Sequence, residues 1–132
     1  MKLFLFVFLF VTIGNAASIN STGVLSNVVA KSNPSTITWS NIASSDTTVG
    51  VETGYAKSVS VQLSGTFTAT TVHFEGSNDG STYYQLDDIE GNAISKTAAA
   101  FFEVRDRPKY MRPKISAGGA STDVTAVMYM TK

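Results

Sequence analysis

The chain has no cysteine. Disulfides, zinc-thiolate centres and thiol nucleophiles are therefore excluded together, and the core must hold by packing alone. Histidine occurs once, as His73, so neither a multi-histidine nor a His-Cys metal site can form. Serines and aspartates are plentiful enough for a triad with His73, yet no GxSxG elbow or other nucleophile context accompanies them. A polar residue on a strand face is the ordinary reading of His73 between Val72 and Phe74. Charge is scarce and balanced. Charged residues make up 15% of the chain, against roughly 25% in an average soluble domain. Ten basic side chains cancel ten acidic ones, so no overall field draws the protein to nucleic acid or an acidic membrane face, and binding has to be local.

What is present divides the 132 residues into three parts. Lys2 followed by the apolar run from Leu3 to Val11, then Thr12, Ile13 and the small or polar Gly14, Asn15, Ala16 and Ala17, has the order of a secretory leader. The pattern predicts cleavage after Ala16 or Ala17. About eleven apolar residues fall short of the roughly twenty that span a bilayer, and the competing reading is an apolar arm retained in an assembly. Residues 1–17 are thus the leader and 18–35 an arm or first edge strand, within which Asn20-Ser21-Thr22 is a glycosylation sequon. Residues 36–132 form one domain, long enough to bury a core.

That domain is punctuated by short alternations of apolar and polar residues. Ile37 and Trp39, Val49 and Val51, then Val59, Val61 and Leu63 repeat the two-residue period of a strand with one buried face. Thr71 to Glu75 continues it, the Asn78-Asp79-Gly80 turn reverses the chain, and Tyr83 to Leu86 returns. Glu90-Gly91-Asn92 marks the next reversal, before a short strand within Ala93 to Thr97 and a loop from Ala98 leading into a strand near Val104. In Tyr110 to Ser116, Met111 and Ile115 oppose Tyr110, Arg112 and Lys114, with Pro113 implying an edge or a bulge. After the turn at Ala117 to Ala120, Val124, Ala126, Met128 and Met130 share one face of a closing strand. About seven or eight strands without a helical period predict an all-β fold, an antiparallel β-sandwich of jelly-roll or Ig-like type.

Three groups of side chains are candidates for function. Asp79, Asp87, Asp88 and Glu90 supply oxygens of the kind calcium takes, although their spacing fits no EF-hand and carboxylates at turns serve the backbone first. Six of the ten basic residues fall between Lys96 and Lys114, interrupted by Glu103 and Asp106, which favours contact with an acidic protein surface or internal ion pairs over nucleic acid. Trp39, Tyr55, Tyr83, Tyr84, Tyr110 and Tyr129 offer either core aromatics or a platform on which sugars stack.

Five stretches then carry a resemblance: VQLSGTF from Val61 toward Phe67, TVHFEGSNDGSTYYQL from Thr71 to Leu86, GNAISKTA from Gly91 to Ala98, YMRPKIS from Tyr110 to Ser116 and TDVTAVM from Thr122 to Met128. In this order they resemble small tailed-phage virion proteins of the head decoration or capsid-stabilising type. The central hairpin alone is similar to those of discoidin-like β-sandwich modules. The phage resemblance implies a non-enzymatic β-domain without cofactor or metal, displayed on the virion surface, forming a homo-oligomer and docking on the major capsid (coat) protein. The leader departs from that pattern; it implies secretion if cleaved, and membrane contact only through itself if retained. The candidate interface residues are Arg105, Arg107, Tyr110, Arg112 and Lys114, with the hairpin tip Asn78, Asp79 and Gly80 as a second contact. The alternative function is a secreted or cell-surface carbohydrate-binding module.

Overall fold

The computed structural model describes residues 17–19, 25–27, 35–44 and 46–132. The leader expected over residues 1–17 lies outside these apart from Ala17, and so does the sequon. Strands form where β-branched and aromatic residues alternate with small hydroxyl or charged ones, because that pattern buries one face of a pleated ribbon. In chain order they are β1 (Ala17–Ile19), β2 (Leu25–Asn27), β3 (Ser35–Ile42), β4 (Val51–Glu52), β5 (Ser58–Thr66), β6 (Thr71–Ser77), β7 (Tyr84–Gln85), β8 (Ser95–Lys96), β9 (Ala100–Glu103), β10 (Tyr110–Ala117) and β11 (Asp123–Thr131). No helix occurs among the described residues. Six strands have four residues or more and five have two or three, so the expected seven to eight falls between these ways of counting.

The strands make two layers. The larger sheet has the order β2-β1-β3-β11-β5-β9; the smaller has β4-β10-β6-β7, with β8 also on β6. All pairings are antiparallel except β1 on β3. This is the antiparallel β-sandwich anticipated from the alternation. The chain changes sheet at every step from β3 to β6 and again from β8 to β11, so only β1/β2 and β6/β7 pair consecutive strands. Pro113 was expected at an edge or a bulge, but β10 lies between β4 and β6; β4 pairs only Tyr110 and Met111, which leaves no strand beside Pro113 on that side. Opposite Phe74 of β6, its carbonyl accepts the Thr48 hydroxyl on the other side, and the N–H it lacks is not missed by the β6 ladder.

The core is built from the inward positions of both layers. Val59, Val61 and Leu63 of β5 and Val124, Ala126, Met128 and Met130 of β11 face Val72, Phe74, Met111 and Ile115 of the smaller sheet. Three aromatic rings cross it. Phe74 meets Trp39 edge-on at 6.1 Å and 87°, and Phe102 at 6.1 Å and 72°. Phe74 belongs to the smaller sheet and its two partners to the larger, so the rings tie the layers together. Each such contact contributes about 0.5–1.5 kcal/mol beyond area burial. Trp39 also donates its indole N–H to the Val49 carbonyl at 3.0 Å, which satisfies the one polar atom the core would otherwise orphan.

Both flanks of the sandwich are stitched. On one, Leu86 donates to Phe74, Arg105 to Asp87 and Ile89 to Glu103 through their backbones, so residues 86–89 bridge β6 to the end of β9. On the other, residues 48–49 receive Trp39 from the larger sheet and reach β10 through Thr48. Replacing Phe74 by alanine removes the ring that both other aromatics meet and should cost about 3–5 kcal/mol. Urea unfolding followed by the emission of the single tryptophan measures this, and a loss under about 1 kcal/mol contradicts the bridging role.

Candidate functional site

The richest surface lies where β6 stops and β10 starts, and it is shaped by the turn between β6 and β7. Asn78-Asp79-Gly80 can reverse the chain because Gly80 adopts φ 75°, a conformation open to glycine. Asp79 then fixes the loop: its Oδ1 accepts the N–H of Thr82 at 2.7 Å, the N–H of Ser81 at 2.7 Å and the Ser77 hydroxyl at 2.8 Å. The Thr82 and Ser81 amides, with the Ser77 hydroxyl, hold this carboxyl well below the usual carboxylate range. Ser77 Oγ in turn accepts the Gly80 N–H at 2.9 Å, and Asn78 Oδ1 accepts the Lys109 N–H at 3.0 Å, which joins the tip to the segment entering β10.

Tyr83 leaves this turn across the outer face of the smaller sheet. Its ring lies 3.8 Å from the Arg112 guanidinium carbon, and its hydroxyl occupies the space a Cβ at Gly50 would need. Arg112 is held from below as well. Glu75, its register partner on β6, accepts from Nε at 3.1 Å and Nη2 at 3.0 Å, and both side chains are only 18% exposed. A stacked, paired guanidinium has little freedom left, so Arg112 is a rigid floor and not a mobile surface cation. Thr48, Val49, Gly50, Gly80, Tyr83, Tyr110 and Arg112 enclose a shallow depression of about 420 Å³. A second depression of about 320 Å³ opens on the far side of the turn, against Asp79, Thr82, Tyr84 and Pro108. Tyr84 is 72% exposed beside it, and Tyr55, in the turn after β4 that Thr53 ties to Pro108 and Lys109, is 77% exposed.

Of the residues singled out in the sequence, Tyr110, Arg112, Asn78, Asp79 and Gly80 therefore come together. Lys114 points to the same outer face but stands opposite His73, farther along β10. Arg105 and Arg107 lie elsewhere. Arg105 pairs with Asp87 at 2.6 Å and with Asp106 at 3.4 Å, while Arg107 donates to the backbone carbonyls of Val104, Asp106 and Lys57. The basic run is thus divided by the fold. The four turn carboxylates are divided too: Asp87 serves Arg105, and Asp88 accepts the N–H groups of Glu90 and Asn92. His73 is half-buried, with Nδ1 3.3 Å from the Ile94 carbonyl. Sequence reasoning missed the approach of residues 48–50 to Tyr83, which depends on cross-sheet neighbours that no local pattern encodes.

Two outcomes follow for this surface. Replacing Glu75 by alanine strands Arg112 half-buried without its carboxylate and should cost about 2 kcal/mol in urea unfolding, with Glu75→Gln recovering part. The depressed Asp79 carboxyl makes the turn's contribution fully present above the ordinary carboxylate range, and it is lost only as pH falls well below that range. Amide exchange at Ser81 and Thr82, followed by NMR through the acid range, should therefore stay slow after other aspartates have titrated; a normal midpoint for Asp79 contradicts the assignment. Compared with known proteins, the chain matches no family model, no curated protein and no solved structure.

Proposed function

We propose that this chain is a structural virion protein that decorates the outer capsid lattice and stabilises it by contact with the coat protein. It adheres without catalysis. The observation that carries the reading is the tyrosine-lined loop end: Tyr55, Tyr83, Tyr84 and Tyr110 stand around a turn made of Ser, Asn, Asp, Gly and Thr, on a scaffold locked by Asp79 and by the Glu75–Arg112–Tyr83 stack. Tyrosine supplies contact area at low entropy cost, and small polar neighbours adapt their hydrogen bonds, which is the composition that makes loop ends of sandwiches good protein-binding surfaces. The sequence resemblance to decoration proteins points the same way. Many copies on one lattice convert modest contacts into tight attachment.

A second reading is favoured by one feature. The depression floored by Arg112 and walled by Tyr83 and Tyr110 has the aromatic and hydroxyl lining that suits a sugar ring, as in a secreted carbohydrate-binding module. The two separate cleanly. The decoration reading expects saturable binding to purified capsids at a fixed copy number, raised heat resistance of those capsids, and loss of binding of at least about tenfold when Tyr84 becomes alanine. Retention on a polysaccharide column, with no capsid binding at any concentration, would sink it in favour of the glycan module.

A further inference from the structure

The two outer faces of the sandwich differ in charge. On the smaller sheet the outward positions of β6 and β10 include His73, Glu75, Arg112 and Lys114. On the larger sheet the outward positions of β3, β5, β9 and β11 include no Lys or Arg at all. Thr38, Gln62, Phe101, Thr125, Val127 and Tyr129 typify that face, in the register Thr38–Val127–Gln62–Phe101 across the four strands. Its two carboxylates are peripheral. Glu103 sits on the edge strand opposite Ser60, and Asp123 sits opposite Thr66, at the other end of β5. Phe101 is 72% exposed, and among the described residues nothing packs over it.

We infer that the outer face of the larger sheet is a self-association surface, and that its occupant is the same face of a second copy of this chain. Charge decides between occupants. A charged partner surface would lose hydration against a layer of hydroxyls, valine and aromatics that offers it no counter-ion, whereas a second neutral face gives up nothing comparable. Depletion of charge at the centre with aromatics retained is also the compositional mark of interface cores. The size suffices. Strands β3, β5, β9 and β11 have 8, 9, 4 and 9 residues, and at about 4.8 by 3.3 Å per residue they cover roughly 480 Å² of flat sheet, which side-chain relief raises toward the ~800 Å² per partner of a standard interface. Sheets packed this way lie about 10 Å apart with side chains interleaved. The loop end belongs to the opposite layer, so the pair displays two such ends at once and gains the avidity of two contacts. The inference goes beyond the capsid reading and does not depend on it.

In a face-to-face pair with two-fold symmetry, the central residues meet near their own copies. A single positive charge there is therefore doubled against itself. Sedimentation of the full chain should show a dimer at micromolar concentration. Val127→Lys and, separately, Gln62→Lys should raise the dimer dissociation constant at least about 100-fold, while Lys114→Glu on the opposite face leaves it unchanged. Emission of the buried Trp39 checks that each variant is folded; Gln62 is exposed, so that substitution tests the face without threatening the core. A wild-type chain that sediments as a monomer throughout, or a dimer that survives both lysines, overturns the inference. A dimer that fails to bind capsids overturns only the capsid reading.

Discussion

The fold depends on the edge-to-face contacts that Phe74 makes with Trp39 and Phe102. A sandwich whose chain changes layer at almost every step has few consecutive strand pairs to hold it locally, so the layers must be joined through the core. Phe74 does this from the middle of β6, with the larger sheet's two rings set against it at nearly right angles. The geometry uses the positive edge of one ring against the negative face of another. It also sets where the rest lies: Trp39 draws residues 48–49 onto the flank through its indole N–H, and that placement brings Gly50 beneath Tyr83. A core contact therefore reaches the candidate surface in three steps, through Trp39, Val49 and Gly50.

Without disulfides, the same chain stiffens its loops with side-chain oxygens. Asp79 collects three donors within four residues, Asp88 two, and Thr53 and Thr48 each hold a carbonyl of the segment that enters or forms β10. This explains why a protein with few charges places so many of its acids at turns. A carboxylate that accepts several amides removes the mobility of a loop tip as a cross-link would, without needing an oxidising compartment.

The legible part of the structure was the part set by local rules. The alternation of Val59, Val61 and Leu63, and of Val124 through Met130, gives inward faces directly, and Asn78-Asp79-Gly80 gives the hairpin by turn chemistry. Pro113 pointed to a gap in the ladder, and the gap is the side of β10 beyond the two residues that β4 pairs, filled by Thr48. The brief strand at Ala100–Glu103 lies within the stretch that reads as a loop from Ala98 leading into a strand. What stayed hidden was pairing. Nothing near Arg112 in the sequence indicates Glu75, thirty-seven residues earlier, and the run Arg105, Arg107, Arg112 reads as one patch until the strand start at Tyr110 separates its members. Crossover topologies make this general, since long-range registers decide which charges meet.

These registers also explain how one surface can be both firm and adaptable. Binding charges a partner for every loop and side chain it must immobilise, and that cost is removed beforehand where the free protein already holds the bound geometry. Here the backbone of the tip is fixed by Asp79, and the ring of Tyr83 is fixed between Gly50 and Arg112. Tyr84 and Tyr55 remain exposed on either side with their hydroxyls in water. In the adhesive reading proposed above, the fixed tip and Tyr83 would supply shape, and the exposed tyrosines would supply area that settles on contact. The Glu75–Arg112 pair, set against the sheet, thus holds one tyrosine still while its neighbours stay free to settle, which is the combination the adhesive reading proposed above requires.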